Sequence, residues 1–451
     1  MKKMSNSQRN SVSENKKFLV FAALGLFLIV FGFYFSPSFE QLISGYLIIL
    51  SHPSLLEFDS FAHVGHFGSS FLNSGLLLLC VLLVYKLTNT KLQGGQIAAA
   101  MMVVGFAFYG KNPVNVWFPV IGVLGYAAWQ KRPLSTATAT AFFSTTLSPV
   151  FSVLAFGTPS LQPFSPQAYF LGAFFGIFGG ILVGFLADIL PNMHRGYILF
   201  NTGYAAGFAG IFITALLRAF NLGHDQFPYQ ASDFVSGANL TLSAALIIMF
   251  LYLIVAGFIL GGGSEIGKMI WFRSKGGSYV EKFGFAPCLI NMGILGIIST
   301  AYVFLVGGQI NGCIFACIWT AAGFASNGLT VRTFLPAMAG VFIAAFITGG
   351  VAGMVAGNGF LDPALAKVAA RSMILAAVFS CGIAPVAGEH GMFAGLFVGA
   401  AHSILVTNTS AFHTWMSLYN NGLSLGIIAT LLYPIYSRWG IRKGTASSAS
   451  P

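Results

Sequence analysis

Asn73-Ser-Gly-Leu-Leu-Leu-Leu-Cys-Val-Leu-Leu-Val-Tyr-Lys86 decides the fold, because the chain echoes it as Asn291-Met-Gly-Ile-Leu-Gly-Ile-Ile-Ser-Thr-Ala-Tyr-Val-Phe304. Each copy is an amide and a glycine ahead of an apolar run of the kind that crosses a bilayer as a helix. Similar runs recur along all 451 residues. Charged residues make up only 7% of the chain and hydrophobic ones 56%. A soluble domain carries about 25% charged residues, so no water-facing surface can enclose most of this chain. Disorder is excluded too, since disordered chains are polar and charged. A β-barrel needs alternating strands, and Phe18 to Tyr34 does not alternate. The expected class is an all-α, polytopic transmembrane helical bundle of about 14 spans. Short segments are expected at 93–109, 113–130 and 311–327, either as spans or as re-entrant half-helices, and the last span at 415–437.

The net charge of +11 would suggest nucleic acid in a soluble protein. Here the basic residues end apolar runs, so they set orientation, and no nucleic-acid partner is expected. Residues 1–17 hold Lys2, Lys3, Arg9, Lys16 and Lys17 and are expected to be cytoplasmic, followed by a retained first span. Residues 37–66 carry no Lys or Arg and fit outside, with a short surface helix near Leu42 to Leu50. Lys86, Lys91, Lys131, Arg132 and the basic residues of 264–282 fit inside, and the loop with Asp225 and Asp233 fits outside. Arg438, Arg442 and Lys443 put the C-terminus in the cytoplasm as well. Lys111, and the stretch holding Lys367 and Arg371, are the exceptions on the outer side.

The echo extends well beyond one span. Gly105-Phe106 and Gly110 match Gly323-Phe324 and Gly328. Phe118-Pro119 matches Leu335-Pro336, and Gly176, Gly180 and Gly184 match Gly391, Gly395 and Gly399. His194 and Phe200-Asn201-Thr-Gly203 match His413 and Tyr419-Asn420-Asn-Gly422. The offset stays near 218 (291 minus 73). The chain therefore divides into a tail (1–17), a first span and outer segment (18–63), repeat one (64–220), a linking region with one span (221–281), repeat two (282–437) and a tail (438–451). The charge pattern starts repeat one outside and repeat two inside. That is an inverted-topology repeat, the plan of many secondary transporters, with the solute site where the halves meet.

The segments Phe108-Tyr-Gly-Lys-Asn-Pro-Val-Asn-Val-Trp-Phe-Pro119 and His194-Arg-Gly-Tyr-Ile-Leu-Phe-Asn-Thr-Gly203 resemble an uncharacterised bacterial membrane family, domain of unknown function 1576, whose members carry the domain twice. The resemblance covers nearly the whole chain after residue 60. It implies a membrane location and brings no activity with it. The layout is also similar in architecture to urea transporters, without any of their motifs.

Two Gly-broken junctions are the candidate binding segments. Lys111, Asn112 and Asn115 lie in the first, and Asn327, Thr330 and Arg332 in the second. Helix starts there would present N–H groups that favour an anion, reinforced by Lys111 and Arg332. Asn201 and Asn420, at matching places, are further candidates for solute coordination. Asp188, matched to Ser403, and the adjacent Glu389-His390 are the candidates for ion coupling. Asp59, His63 and His66 fall at i, i+4 and i+7, a spacing too unspecific to name a metal site. The five cysteines read as small hydrophobes. No Walker loop, zinc-protease motif or Gly-x-Ser-x-Gly elbow occurs, so neither a cofactor nor an enzyme is expected.

The expectation is a cell-membrane permease or channel-like transporter for a small polar or anionic solute, embedded in lipid, with a homo-oligomer compatible. Two alternatives stand beside it: an intramembrane enzyme acting on a lipid-type substrate, with Glu389, His390, Asp188 and His402 as its acids and bases, and a non-transporting scaffold or sensor.

Overall fold

The computed structural model describes residues 12–53, 66–223, 238–273, 276–414 and 416–444. Asp59, His63, Asp225 and Asp233 lie outside the described residues. Within them every regular element is a helix. The chain opens with α1 (Glu14–Tyr34) and α2 (Phe39–Ser51). The first half follows as α3 (Phe67–Leu87), α4 (Gly94–Phe106), α5 (Trp117–Trp129), α6 (Leu134–Ser144), α7 (Ser148–Phe156), α8 (Pro166–Ile189), α9 (Pro191–His194) and α10 (Asn201–Ala219). Three helices link the halves: α11 (Ala238–Ile259), α12 (Gly263–Ile270) and α13 (Tyr279–Phe283). The second half is α14 (Phe285–Leu305), α15 (Gly312–Phe324), α16 (Val331–Val355), α17 (Leu361–Ala369), α18 (Arg371–Phe379), α19 (Ala384–His390), α20 (Met392–His413) and α21 (Asn420–Gly444).

Among the described residues, ten helical segments are long and apolar enough to cross a membrane. Large apolar side chains such as Phe170, Phe174, Phe342 and Ile347 point outward from α8 and α16. An apolar exterior of this extent needs lipid, not water, around it. The protein is a multi-pass membrane protein. The three expected short segments are the 13-residue helices α4, α5 and α15. At 1.5 Å per residue each is about 20 Å long, short of the roughly 30 Å hydrocarbon core. The expected last span is α21, which is not among the ten. The expected surface helix is α2.

The two short helices α4 and α15 sit against each other in the centre, and every residue of α15 is buried. Their contacts are reciprocal. A Cβ on Gly105, late in α4, would meet Ala316 and Trp319 of α15. A Cβ on Gly323, late in α15, would meet Ala98 and Met101 of α4. Gly105 and Gly323 hold the same place in the two copies (323 minus 105 again gives the repeat offset).

The echoed amides show why the repeat persists. Asn73 Nδ2 donates to the carbonyl oxygens of Ala107 (2.7 Å) and Lys111 (2.8 Å). Asn291 Nδ2 donates to those of Ala325 and Leu329, both at 2.9 Å. Each amide thus satisfies carbonyls left open where a short helix ends. The chain turns there at Gly110 and Gly328, whose φ values of +86° and +108° suit glycine. Replacing Asn73 or Asn291 by Leu leaves two buried carbonyls without donors. Each variant should lose about 1–3 kcal/mol, by similar amounts in both halves, as read from thermal unfolding in detergent. Unchanged midpoints would show that these amides do not hold the turns.

The glycine ladder corrects the sequence register. A Cβ on Gly180 would lie 2.1 Å from the Pro119 carbonyl oxygen, and one on Gly399 would lie 2.0 Å from that of Ala337. Gly176 faces Phe118 as Gly395 faces Pro336. Gly180 therefore corresponds to Gly399, and Phe118 to Pro336. A ladder with a four-residue period matches itself after a four-residue shift, so its sequence alone cannot fix the pairing. Gly391 instead opens α20 with φ +94°. With the ladder reset, Ser403 falls opposite Gly184, not Asp188.

Candidate functional site

The two junctions are built alike but hold their own polar groups. Asn112 Oδ1 accepts from the Asn115 N–H (3.0 Å), and Asn115 Oδ1 accepts from the Asn112 N–H (2.9 Å). Asn112 Nδ2 donates to the Ile49 carbonyl, and Asn115 Nδ2 to Gly110 O and Ser152 Oγ. In the second half the reciprocal pair is Thr330 and Thr333, at the equivalent positions. The second is a capping box at the start of α16, and the first is the same reciprocal pairing made within the turn ahead of α5, whose cap position is Val116. They satisfy the N–H groups that were expected to meet an anion. Asn327 is half-buried, with its backbone N–H on Phe324 O. Arg332 is exposed and donates to the Trp271 carbonyl (3.3 Å). The position equivalent to Lys111 is Leu329, not Arg332.

Asn201 and Asn420 likewise have internal partners. Asn201 Nδ2 donates to Ala187 O (2.9 Å), and Asn420 Nδ2 to Val406 O (3.0 Å). Their Oδ1 atoms meet Nε2 of His194 (2.9 Å) and of His413 (3.3 Å). Each amide therefore fixes the start of its helix to the helix before it.

The residues beside them, Thr202 and Asn421, line a cavity. Between the halves lies a small cavity, about 10 Å³ measured as room for the centre of a water molecule. Its lining comes in equivalent pairs: Phe200 with Tyr419, Thr202 with Asn421, Gly203 with Gly422, and Phe143 with Phe379, completed by Met102, Leu199 and Phe324. Rings cross between halves in matched fashion. Phe106 meets Tyr419 and Phe324 meets Phe200, both with centroids 4.7 Å apart. Gly203 and Gly422 let the two helix starts approach each other.

Phe143 and Phe379 reach the cavity because their helices break there. A 3₁₀ turn interrupts 134–156 at Thr145–Leu147, and another interrupts 371–390 at Ser380–Ile383. Ser144 Oγ donates to Ala141 O and Ser380 Oγ to Ala377 O, each at 2.7 Å. Pro149 and Pro385 follow at the same distance. Here the offset is 236 (380 minus 144), because α16 and α17 lengthen the second half. A search at the smaller offset passes over this pair; the matching Phe-Ser and Pro-Val steps are the signal that finds it.

Lys111 is fully buried behind this cavity. Its Nζ donates to the Tyr419 hydroxyl and sits 4.6 Å from the centre of the Tyr419 ring and 5.0 Å from that of Phe106. It has no carboxylate partner among the described residues. Two ring faces and a hydroxyl replace its water. The mirrored place in the second half holds Leu329, so the lysine breaks the symmetry of the site.

The expected ion-coupling groups lie elsewhere. Asp188 is about two-fifths exposed and takes a two-pronged bond from Arg132 at 3.1 and 2.9 Å, with Tyr126 alongside. Glu389 is exposed at the end of α19, and His390 Nε2 meets the Tyr197 hydroxyl (2.9 Å). None of the three lines the cavity. His402 is buried between Asn421 and Ser424. Among the described residues no cluster of three His, Cys, Asp or Glu could hold a metal.

A family model described as "Protein of unknown function (DUF1576)" matches residues 38–219 and again 273–438. No curated protein and no solved structure matches the chain.

Proposed function

The chain belongs to the DUF1576 family and carries its domain twice, and from that premise we propose that it is a permease for a small solute. The two domains lie in the cell membrane in opposite orientations, both termini are cytoplasmic, and the solute binds where the halves meet. The observation that carries this reading is the cavity lined by equivalent residues of both halves. Reciprocal contacts of α4 with α15 support the inversion, since the late part of each helix meets the early part of the other. The broken segments around the cavity are the feature that marks transporter sites. Two like halves in opposite orientations have two packings of similar energy, one open to each side.

The orientation has a direct test. Lys91 and Gln309 are equivalent positions of the two copies, and both are exposed. Lys91→Cys should react with a membrane-impermeant maleimide only from the cytoplasmic face, and Gln309→Cys only from outside, against the unsubstituted chain as control. Labelling of both from one face would exclude the inverted plan. Flux is tested with the purified protein in liposomes loaded with candidate solutes.

A further inference from the structure

We propose that Arg273, Lys282 and Arg332 form a binding site for the anionic headgroup of a membrane phospholipid, with Trp271 at the level where headgroup meets acyl chain. Such a site needs the membrane location of the chain, which its apolar exterior establishes, and is independent of what the chain carries.

The three cations come from three separate segments and meet at one dipeptide, Trp271-Phe272. Arg273 follows it directly in the chain. Lys282, in α13, places Nζ 3.5 Å from the centre of the Phe272 ring. Arg332, in the first turn of α16, donates from Nη1 to the Trp271 carbonyl oxygen (3.3 Å). The dipeptide is itself fixed. The Phe272 carbonyl accepts from Thr330 Oγ1 (3.0 Å), and the Phe272 ring packs edge-on against Phe283 and Tyr279.

All three cations are exposed, and none has a carboxylate partner among the described residues. Lys268, a neighbouring cation on α12, differs in being paired with Glu265 at 3.0 Å. Glu281 offsets one charge, and the patch stays cationic. Like charges gathered around one dipeptide repel one another unless an anion lies among them. A phosphodiester suits them, since its two free oxygens match the planar fork of a guanidinium. The bond to the Trp271 carbonyl holds that fork in place.

The patch borders the apolar exterior, which makes the ligand a lipid. Trp271 is 64% exposed, and Leu335, one turn past Arg332 on α16, is 41% exposed. Phe342, Ile343 and Ile347 follow on the same helix and are exposed as well. Arg332 thus ends a helix side that meets acyl chains, the place of basic and aromatic residues at a membrane surface. In the register that pairs Thr330 with Asn112, the position equivalent to Arg332 is Val114. The duplication alone therefore does not account for the arginine.

The test is titration of the detergent-purified full chain with phosphatidylglycerol, phosphatidylcholine and glycerol 3-phosphate, read by thermal shift and native mass spectrometry. Phosphatidylglycerol should bind at least about tenfold more tightly than phosphatidylcholine, by a margin that shrinks as salt rises. Glycerol 3-phosphate, which carries a charged head without chains, should bind far more weakly than phosphatidylglycerol. Arg273→Gln, Lys282→Gln and Arg332→Gln should each reduce the preference between the lipids about fivefold. Lys86→Gln, which removes an exposed cation at the end of α3, should leave it unchanged. Each preference compares two lipids on one variant, so a change in the stability of the fold cancels. Equal binding of the two lipids would overturn the site. Glycerol 3-phosphate binding as tightly as phosphatidylglycerol would make the ligand a soluble anion and overturn the lipid assignment. An equal loss in Lys86→Gln would reduce the effect to the general attraction of a basic surface for anionic lipid, and the site would fall.

Discussion

Gly122→Val is expected to give no folded protein in the membrane, while Gly125→Val, three positions along the same helix, is expected to be nearly neutral. The two changes carry the same change in helix propensity, so their difference isolates a contact. A Cβ on Gly122 would lie 2.1 Å from the Ile177 carbonyl oxygen and 2.8 Å from the Cα of Gly180. Both are backbone atoms, which cannot rotate away. A Cβ on Gly125 meets nothing within 4 Å. Membrane helices without a hydrophobic drive between them associate through such close backbone approach. Separating α5 from α8 would sacrifice that packing along the whole pair. Overpacking at one site commonly costs about 1–3 kcal/mol, and parting two helices should exceed that. Gly340→Val should behave as Gly122→Val does, since its Cβ would lie 2.1 Å from the Leu396 carbonyl oxygen. Size-exclusion profiles and thermal unfolding after extraction report the result. A well-behaved Gly122→Val protein would show that α5 and α8 are not held as described.

Lys111→Met is expected to raise the thermal midpoint and, on the proposed permease reading, to reduce solute flux by about tenfold or more. An ammonium buried without a carboxylate is costly. Filling such a site with an apolar side chain of similar length is often neutral or stabilising. The loss of flux follows from position. Lys111 bonds the hydroxyl of Tyr419, a cavity wall, from the opposite half of the chain. Without it the Tyr419 ring loses its anchor to the first half. An ionisable residue kept inside a membrane protein against its stability is a functional residue by default. Thermal unfolding and liposome flux, measured on the same preparation, decide the matter. A destabilised variant with unchanged flux would make Lys111 a structural strut.

Much of this protein was legible in its sequence because the signals were local. The scarcity of charge dictated a membrane-embedded helical chain. Asn73 and Asn291, Gly110 and Gly328, and Asn201 and Asn420 could be paired by spacing, and each pair makes the same hydrogen bonds or the same turn in both halves. Lys111 stood out because it broke the pattern of basic residues at the inner ends of spans. The chemistry of these residues was less legible. Asn112, Asn115 and Thr330 have the residue types of a binding site, but Thr330 caps a helix and the two asparagines bond each other within a turn. The same amide can serve either purpose, and only its partners distinguish them.

What the sequence determined by itself is the class of the protein, its duplication and the turns at Gly110 and Gly328, since apolar length, repeated residues and glycine act along the chain, whereas the breaks at Thr145–Leu147 and Ser380–Ile383 appear only in the structure. The tertiary structure alone decided which glycines meet and which polar residues line the cavity. A four-residue ladder is self-similar in sequence, and only a backbone contact, Gly180 on Pro119 or Gly399 on Ala337, removes the ambiguity. Thr202 and Asn421 are neighbours of conspicuous asparagines and gave no signal of their own. They face the cavity because two helix starts, one from each half of the chain, are brought together at Gly203 and Gly422.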